Sequence, residues 1–221
     1  MSRLPPTETV WLQGRAGRLQ AIVEEPAATM PTAAAVICHP HPRHGGTMHN
    51  KVVHTLARSF VRLGFAALRF NFRGTEESEG VYDNGNGELD DVLTAIEWMQ
   101  HRYPERPLWL AGFSFGAAIA VRAAVTTTID GLVTVAPAVR RFATNLRTQP
   151  RCPWIIVQGD EDELVDVDAT IEWVNRLEPG PELLVIPGAE HFFHGKLLVL
   201  RESVMDFVGK HSDHIFEPFE R

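Results

Sequence analysis

Cysteine is almost missing from this chain: Cys38 and Cys152 are the only two in 221 residues. One pair cannot build a disulfide scaffold, and without a CxxC spacing neither a zinc knuckle nor a dithiol redox motif is encoded. Both are expected as buried thiols at strand ends. Long apolar runs are missing too: no stretch approaches the roughly 20 residues that a membrane-spanning helix needs. The opening MSRLPPTETVW carries no apolar core of a signal peptide and is broken by Pro5 and Pro6. The expectation is a cytoplasmic protein with no membrane partner. Basic excess is also lacking, with 21 Lys+Arg against 28 Asp+Glu for a net charge of −7. That balance argues against nucleic acid as a partner and favours a small molecule. No repeat, low-complexity tract or linker divides the chain, so one domain over 1–221 is expected, as a monomer or homodimer.

What is present is an alternation of short apolar runs with longer amphipathic segments. AAAVIC (33–38), FAALRF (65–70), PLWLAG (107–112), GLVTVA (131–136), WIIVQG (154–159) and ELLVIP (182–187) lack polar alternation, as strands covered on both faces do. Helix patterns fall between them at 48–63, 87–101, 115–126, 168–177 and 195–210. In the second, Leu89, Val92, Leu93, Ile96 and Met99 form one stripe, with Asp91, Glu97 and Gln100 opposite. Such an order predicts an α/β fold: a mostly parallel sheet with helices on both faces. The first segment, VWLQGRAGRLQAIVE, has two runs around a glycine-containing turn and predicts an antiparallel hairpin at the sheet edge.

Within the third parallel unit stands Gly112-Phe113-Ser114-Phe115-Gly116, a G-x-S-x-G pentapeptide. A strand runs into it and an Ala-rich helix opening runs out, the context that a nucleophile elbow requires. A serine hydroxyl needs a positioned base. Beyond the last strand, Gly188-Ala189-Glu190-His191-Phe192-Phe193-His194 offers His191 in the loop at the strand's carboxyl end, with His194 as rival. The acid is expected after WIIVQG, where Asp160, Glu161, Asp162, Glu163 and Asp166 crowd one loop. Asp162, mid-loop and three residues before Val165, is favoured over Asp160. Asp166 or Asp168 reads as a helix cap.

The segment after the first parallel strand, CHPHPRHGGTMHNK, holds His39, His41, His44 and His49. No Cys, Asp or Glu accompanies them after Cys38, and Pro40 and Pro42 stiffen the loop, so neither a metal nor another cofactor is expected. Its position suits the second backbone donor of an oxyanion hole, the first being the N–H of Phe115. Proline has no N–H, so His41 is the favoured donor and Arg43 the alternative.

Taken together, GFSFG, GDEDELVD, GAEHFF, RFNFRGTEESEG and CHPHPRHGGTMHNK resemble small bacterial α/β hydrolases. These are related to dienelactone hydrolases and, more distantly, to prolyl oligopeptidase catalytic domains. The resemblance spans about residues 10–210 and implies an α/β-hydrolase fold with Ser114, Asp162 and His191 as catalytic triad. Dienelactone hydrolases use a cysteine nucleophile where Ser114 stands here, which puts dienelactone itself in doubt as substrate. Arg73 in the Asn71-Phe72-Arg73-Gly74 segment reads as a brace.

A lid in this fold is usually inserted between GLVTVA and WIIVQG. Here PAVRRFATNLRTQPRCP is too short for a helical cap, so an open cleft is expected. Arg140, Arg141 and Arg147 on that segment read as solvated, with an anionic substrate group as the other possibility. The expected activity is hydrolysis of carboxylic esters of small or medium acyl groups. The alternatives are a thioesterase or acyltransferase on the same triad, and a binding protein that kept the fold without the chemistry.

Overall fold

The computed structural model describes residues 6–142 and 148–212. Strand β1 (Thr7–Gly14) turns back at Arg15 and Ala16 into β2 (Gly17–Glu24) as an antiparallel hairpin. Parallel strands β3 (Ala33–Cys38), β4 (Phe65–Phe70), β5 (Leu108–Phe113), β6 (Gly131–Val135), β7 (Trp154–Gly159) and β8 (Glu182–Ile186) follow. The sheet order is β1-β2-β4-β3-β5-β6-β7-β8, with β2 antiparallel to β4. Five of the six parallel strands, β3 to β7, are buried along their whole length, the outcome that their lack of polar alternation predicts. β8 departs from that expectation. It closes the sheet, Glu182 is exposed and only Ile186 is fully buried, because an edge strand has a neighbour on one side only.

Helices α1 (Lys51–Arg62) and α6 (Leu197–His211) cover one face, where Trp109 packs edge to face with Phe65 and Phe207, and Phe60 lies tilted against Phe65. Helices α2 (Asn86–Arg102), α3 (Phe115–Ala124) and α5 (Val167–Val174) cover the other. A four-residue helix α4 (Val139–Phe142) and a single 3₁₀ turn at Pro42–His44 complete the described elements. α1 starts at Lys51 rather than Met48 because Asn50 caps it, its Oδ1 accepting the N–H groups of Val52 (2.8 Å) and Val53 (3.4 Å). Asp166 caps α5 in the same way through the Ala169 N–H.

Both cysteines are free. Cys38 is fully buried at the end of β3, but Cys152 is half-buried and lies two residues before β7, so only the first matches the expected buried strand-end thiol. Among the described residues no helix is long and apolar enough to cross a membrane.

Candidate active site

The turn between β5 and α3 is a single residue, Ser114, with φ 56° and ψ −114°. A side-chain-bearing residue reaches that left-handed region only when its surroundings hold it there. The Ser114 N–H donates to Val135 O at 2.9 Å, and its carbonyl accepts from Ala118 and Ala138 at 3.2 Å. The flanking glycines make the turn possible. A Cβ on Gly112 would stand 2.5 Å from Gly116 O, and one on Gly116 would stand 2.3 Å from His39 O. No side chain fits at either place. Gly116 thus presses the helix start against the loop leaving β3.

His191, in the loop after β8, brings its Nε2 to 3.1 Å from Ser114 Oγ. Its Nδ1 lies 2.9 and 3.0 Å from the two Asp162 carboxylate oxygens. The imidazole is buried and held between the rings of Phe113 and Phe192, at 5.0 and 5.1 Å. Asp162 reaches it from the β7–α5 loop. Burial would raise the Asp162 pKa, but hydrogen bonds from His191, Val165 N–H and Leu164 N–H outweigh it and hold the pKa below the usual carboxylate value. An ionised carboxylate only accepts, so Nδ1 donates to Asp162, and Nε2 is left to accept from the Ser114 hydroxyl.

The rivals are placed elsewhere. Asp160 accepts the Gly188 N–H at 2.6 Å and braces the turn after β8. Glu163 accepts the His191 N–H at 3.2 Å. His194 is exposed and pairs with Glu190. Val165 does steady the acid loop, though by its backbone. Its N–H donates to Asp162 Oδ1 at 2.7 Å and its carbonyl accepts from Gln158 Nε2 at 3.1 Å. Gln158 Nε2 also donates to Asp162 Oδ2 at 3.0 Å. Sequence reasoning missed this buried amide because it sits inside an apolar strand run, where a polar residue reads as noise.

The histidine loop divides its four imidazoles among separate tasks. His39 is fully buried, donates from Nδ1 to Pro40 O (2.6 Å) and accepts the Phe72 N–H at Nε2 (3.0 Å). Burial lowers its pKa to about 3, so it stays neutral. His41 lies against Phe115 with ring centroids 5.1 Å apart. Its N–H has no protein acceptor among the described residues, and the Phe115 N–H stands at the first position of α3, where no intrahelical acceptor exists. The Arg43 N–H is already committed to His41 Nδ1 at 3.2 Å. His44 and His49 are exposed. Among the described residues no group of His, Cys, Asp and Glu is arranged to hold a metal.

Arg73 is the brace its motif suggests, pairing with buried Asp91 of α2 at 2.7 Å. The resulting cleft, about 450 Å³, is lined by Ser114, His191, Phe115, Val139, Leu164 and Phe192 among others. Arg140 and Arg141 border it and are exposed, while Arg147 lies outside the described residues. Of the connection between β6 and β7, the described part builds only α4, whose Phe142 stands edge-on to Phe115 at 4.8 Å.

A mostly parallel sheet with a serine elbow, a histidine and an aspartate meeting at its carboxyl edge defines an α/β hydrolase of the serine type. Residues 31–147 match the family described as serine aminopeptidase, S33, and the chain belongs to this α/β-hydrolase family. It is 42% identical to an α/β serine hydrolase homologue from Coxiella burnetii, covering 93% of this chain and 99% of that one, with a TM-score of 0.87. An α/β serine hydrolase without lid from Xanthomonas campestris is 38% identical, covering 95% and 97%, with a TM-score of 0.88. An uncharacterized protein of Rickettsia prowazekii is 33% identical over 210 residues, 90% of this chain and 87% of its own.

Proposed function

We propose that this serine hydrolase cleaves carboxylic esters through an acyl-enzyme formed on Ser114. The observation that carries the reading is the continuous path from Asp162 through His191 to the Ser114 hydroxyl, with contacts of 2.9 and 3.1 Å. His191 takes the Ser114 proton as the oxygen attacks the ester carbonyl. The tetrahedral oxyanion is received by the N–H groups of Phe115 and His41, beside the N-terminus of α3. The protonated imidazole, steadied by Asp162, then gives its proton to the departing alkoxide. Water repeats the sequence on the acyl-enzyme, releasing the acid and restoring the serine. Thioesters would follow the same route.

The family description also admits peptide cleavage. An aminopeptidase needs an anionic group to receive the free α-ammonium, and apart from the triad acid the only carboxylate lining the described cleft is Asp166. That carboxylate already caps α5. Arg140 and Arg141 at the rim would repel an ammonium, which favours the ester reading. The absence of a covering element among the described residues favours short acyl chains, since each methylene left exposed forgoes about 0.8 kcal/mol.

A fluorophosphonate probe should label the wild type at one site, and Ser114→Ala should not be labelled. A panel of p-nitrophenyl esters, thioesters and aminoacyl anilides should show turnover on short esters. Preference for the anilides, or for chains beyond about ten carbons, would overturn the ester reading or the open-cleft reading respectively.

A further inference from the structure

A smaller cavity, about 170 Å³, opens beside the cleft and is lined by His41, Arg43, His44, Tyr82, Asn84 and Arg141. His41, His44 and Arg141 border both spaces. The hydrogen-bonding pattern makes Tyr82 and the two arginines of its wall free donors. His41 Nδ1 accepts the Arg43 N–H and so carries no proton. Burial first, then the neighbouring His44, Arg141 and Arg43, lower the His41 pKa to about 4. The ring is therefore neutral at pH 7, with its single proton on Nε2. Nε2 donates to the Tyr82 hydroxyl oxygen at 3.1 Å, which leaves the Tyr82 O–H free to donate in turn. Arg43 lies over the Tyr82 ring at 5.9 Å and Arg141 over the Phe142 ring at 5.3 Å. Among the described residues neither guanidinium meets a carboxylate.

The acids of the adjoining loop are already committed. Glu88 accepts the N–H groups of Asp83 and Gly85 at 2.8 and 2.7 Å, and Asp83 accepts that of Gly87 at 3.1 Å. Two uncompensated guanidiniums and a free phenol proton thus converge on one recess, in a chain where Asp and Glu outnumber Lys and Arg by 28 to 21. The two arginines repel a cation, and an apolar group would strand the donors. A group with several acceptor oxygens and negative charge suits them all. We propose that this recess is an oxyanion subsite that takes the terminal carboxylate or phosphate of a substrate whose scissile ester lies at Ser114. The subsite rests on the ester-hydrolase reading and narrows it to monoesters of dicarboxylic acids, or to esters carrying a phosphate.

The test compares p-nitrophenyl hydrogen glutarate with p-nitrophenyl methyl glutarate, which has the same chain but no charge. The ratio of their kcat/KM values should favour the anion by about tenfold or more, and should shrink with added salt. The Arg43→Gln/Arg141→Gln double variant should bring the ratio close to one, whereas Arg106→Gln, exposed ahead of β5 and bordering neither space, should leave the ratio as it is. Glutarate and inorganic phosphate as competing anions separate the two classes, since the better competitor identifies which oxyanion the recess prefers. Calorimetric titration of Ser114→Ala with monomethyl and dimethyl glutarate needs no turnover. Tighter binding of the monoanion, lost with the two arginines, supports the subsite even if no ester is cleaved. A ratio near one in the wild type, with equal binding of the two glutarates, overturns the subsite while leaving hydrolysis of neutral esters standing.

Discussion

Asp162 is the most heavily constrained side chain of the site, accepting from Gln158, Leu164 and Val165 as well as from His191. In the proposed mechanism its task is to fix which imidazole nitrogen carries the proton, a task that shape alone does not perform. Asp162→Asn keeps the volume but can present an amide N–H to His191 and favour the wrong tautomer. Steady-state kinetics on a short ester should show kcat reduced by up to about 10⁴ with the melting temperature little changed. If Asp160→Asn has that effect instead, the acid is misassigned, although Asp160 is bound to Gly188 in this structure.

At the scale of elements, the Arg73–Asp91 pair ties the segment after β4 to α2. Arg73 donates from its backbone N–H, Nε and Nη2, and a Cβ on Gly87 would stand 2.0 Å from the guanidinium. Arg73→Met would strand a buried carboxylate and should destabilise the fold by about 3–5 kcal/mol in urea unfolding. The double variant Arg73→Met/Asp91→Leu should recover much of that. Legibility in the sequence follows the same scale. β3 to β7 could be read because each is a mostly apolar run without polar alternation, and the elbow because glycine, serine and glycine fall at fixed spacing. The half-exposure of β8 could not, because ELLVIP has the composition of a central strand and only the sheet order makes it an edge. His39 reads like its neighbours, yet its partner is the backbone N–H of Phe72, which no residue type announces. Tyr82 and Arg141 come from distant segments, so the recess that they share exists only once the chain has folded.

Across the whole molecule, acid should act through His39. Its folded pKa of about 3 lies below the ordinary histidine value near 6.5. Between those values the unfolded chain binds a proton that the folded chain refuses, so stability rises with pH. The contribution is complete above about pH 6.5 and is lost as pH falls toward 3, at about 1.4 kcal/mol per pH unit. Urea unfolding from pH 7 to 4.5 should show this slope together with that of His41, whose pKa is lowered to about 4, and His39→Gln, which cannot titrate, should remove the His39 share and leave a shallower dependence. In an NMR titration the His39 ring resonances should not move between pH 5 and 8.

The left-handed backbone at Ser114 has a consequence for how such a protein ages under mutation. The fold has to carry this residue in a conformation that glycine would adopt freely, at a standing penalty of about 1–3 kcal/mol. Chemistry and durability therefore pull in opposite directions at one codon. A lineage released from the need to hydrolyse anything would find the serine the easiest residue to discard. Its descendants would be sturdier and silent, with the histidine and the aspartate still in place beside an empty elbow.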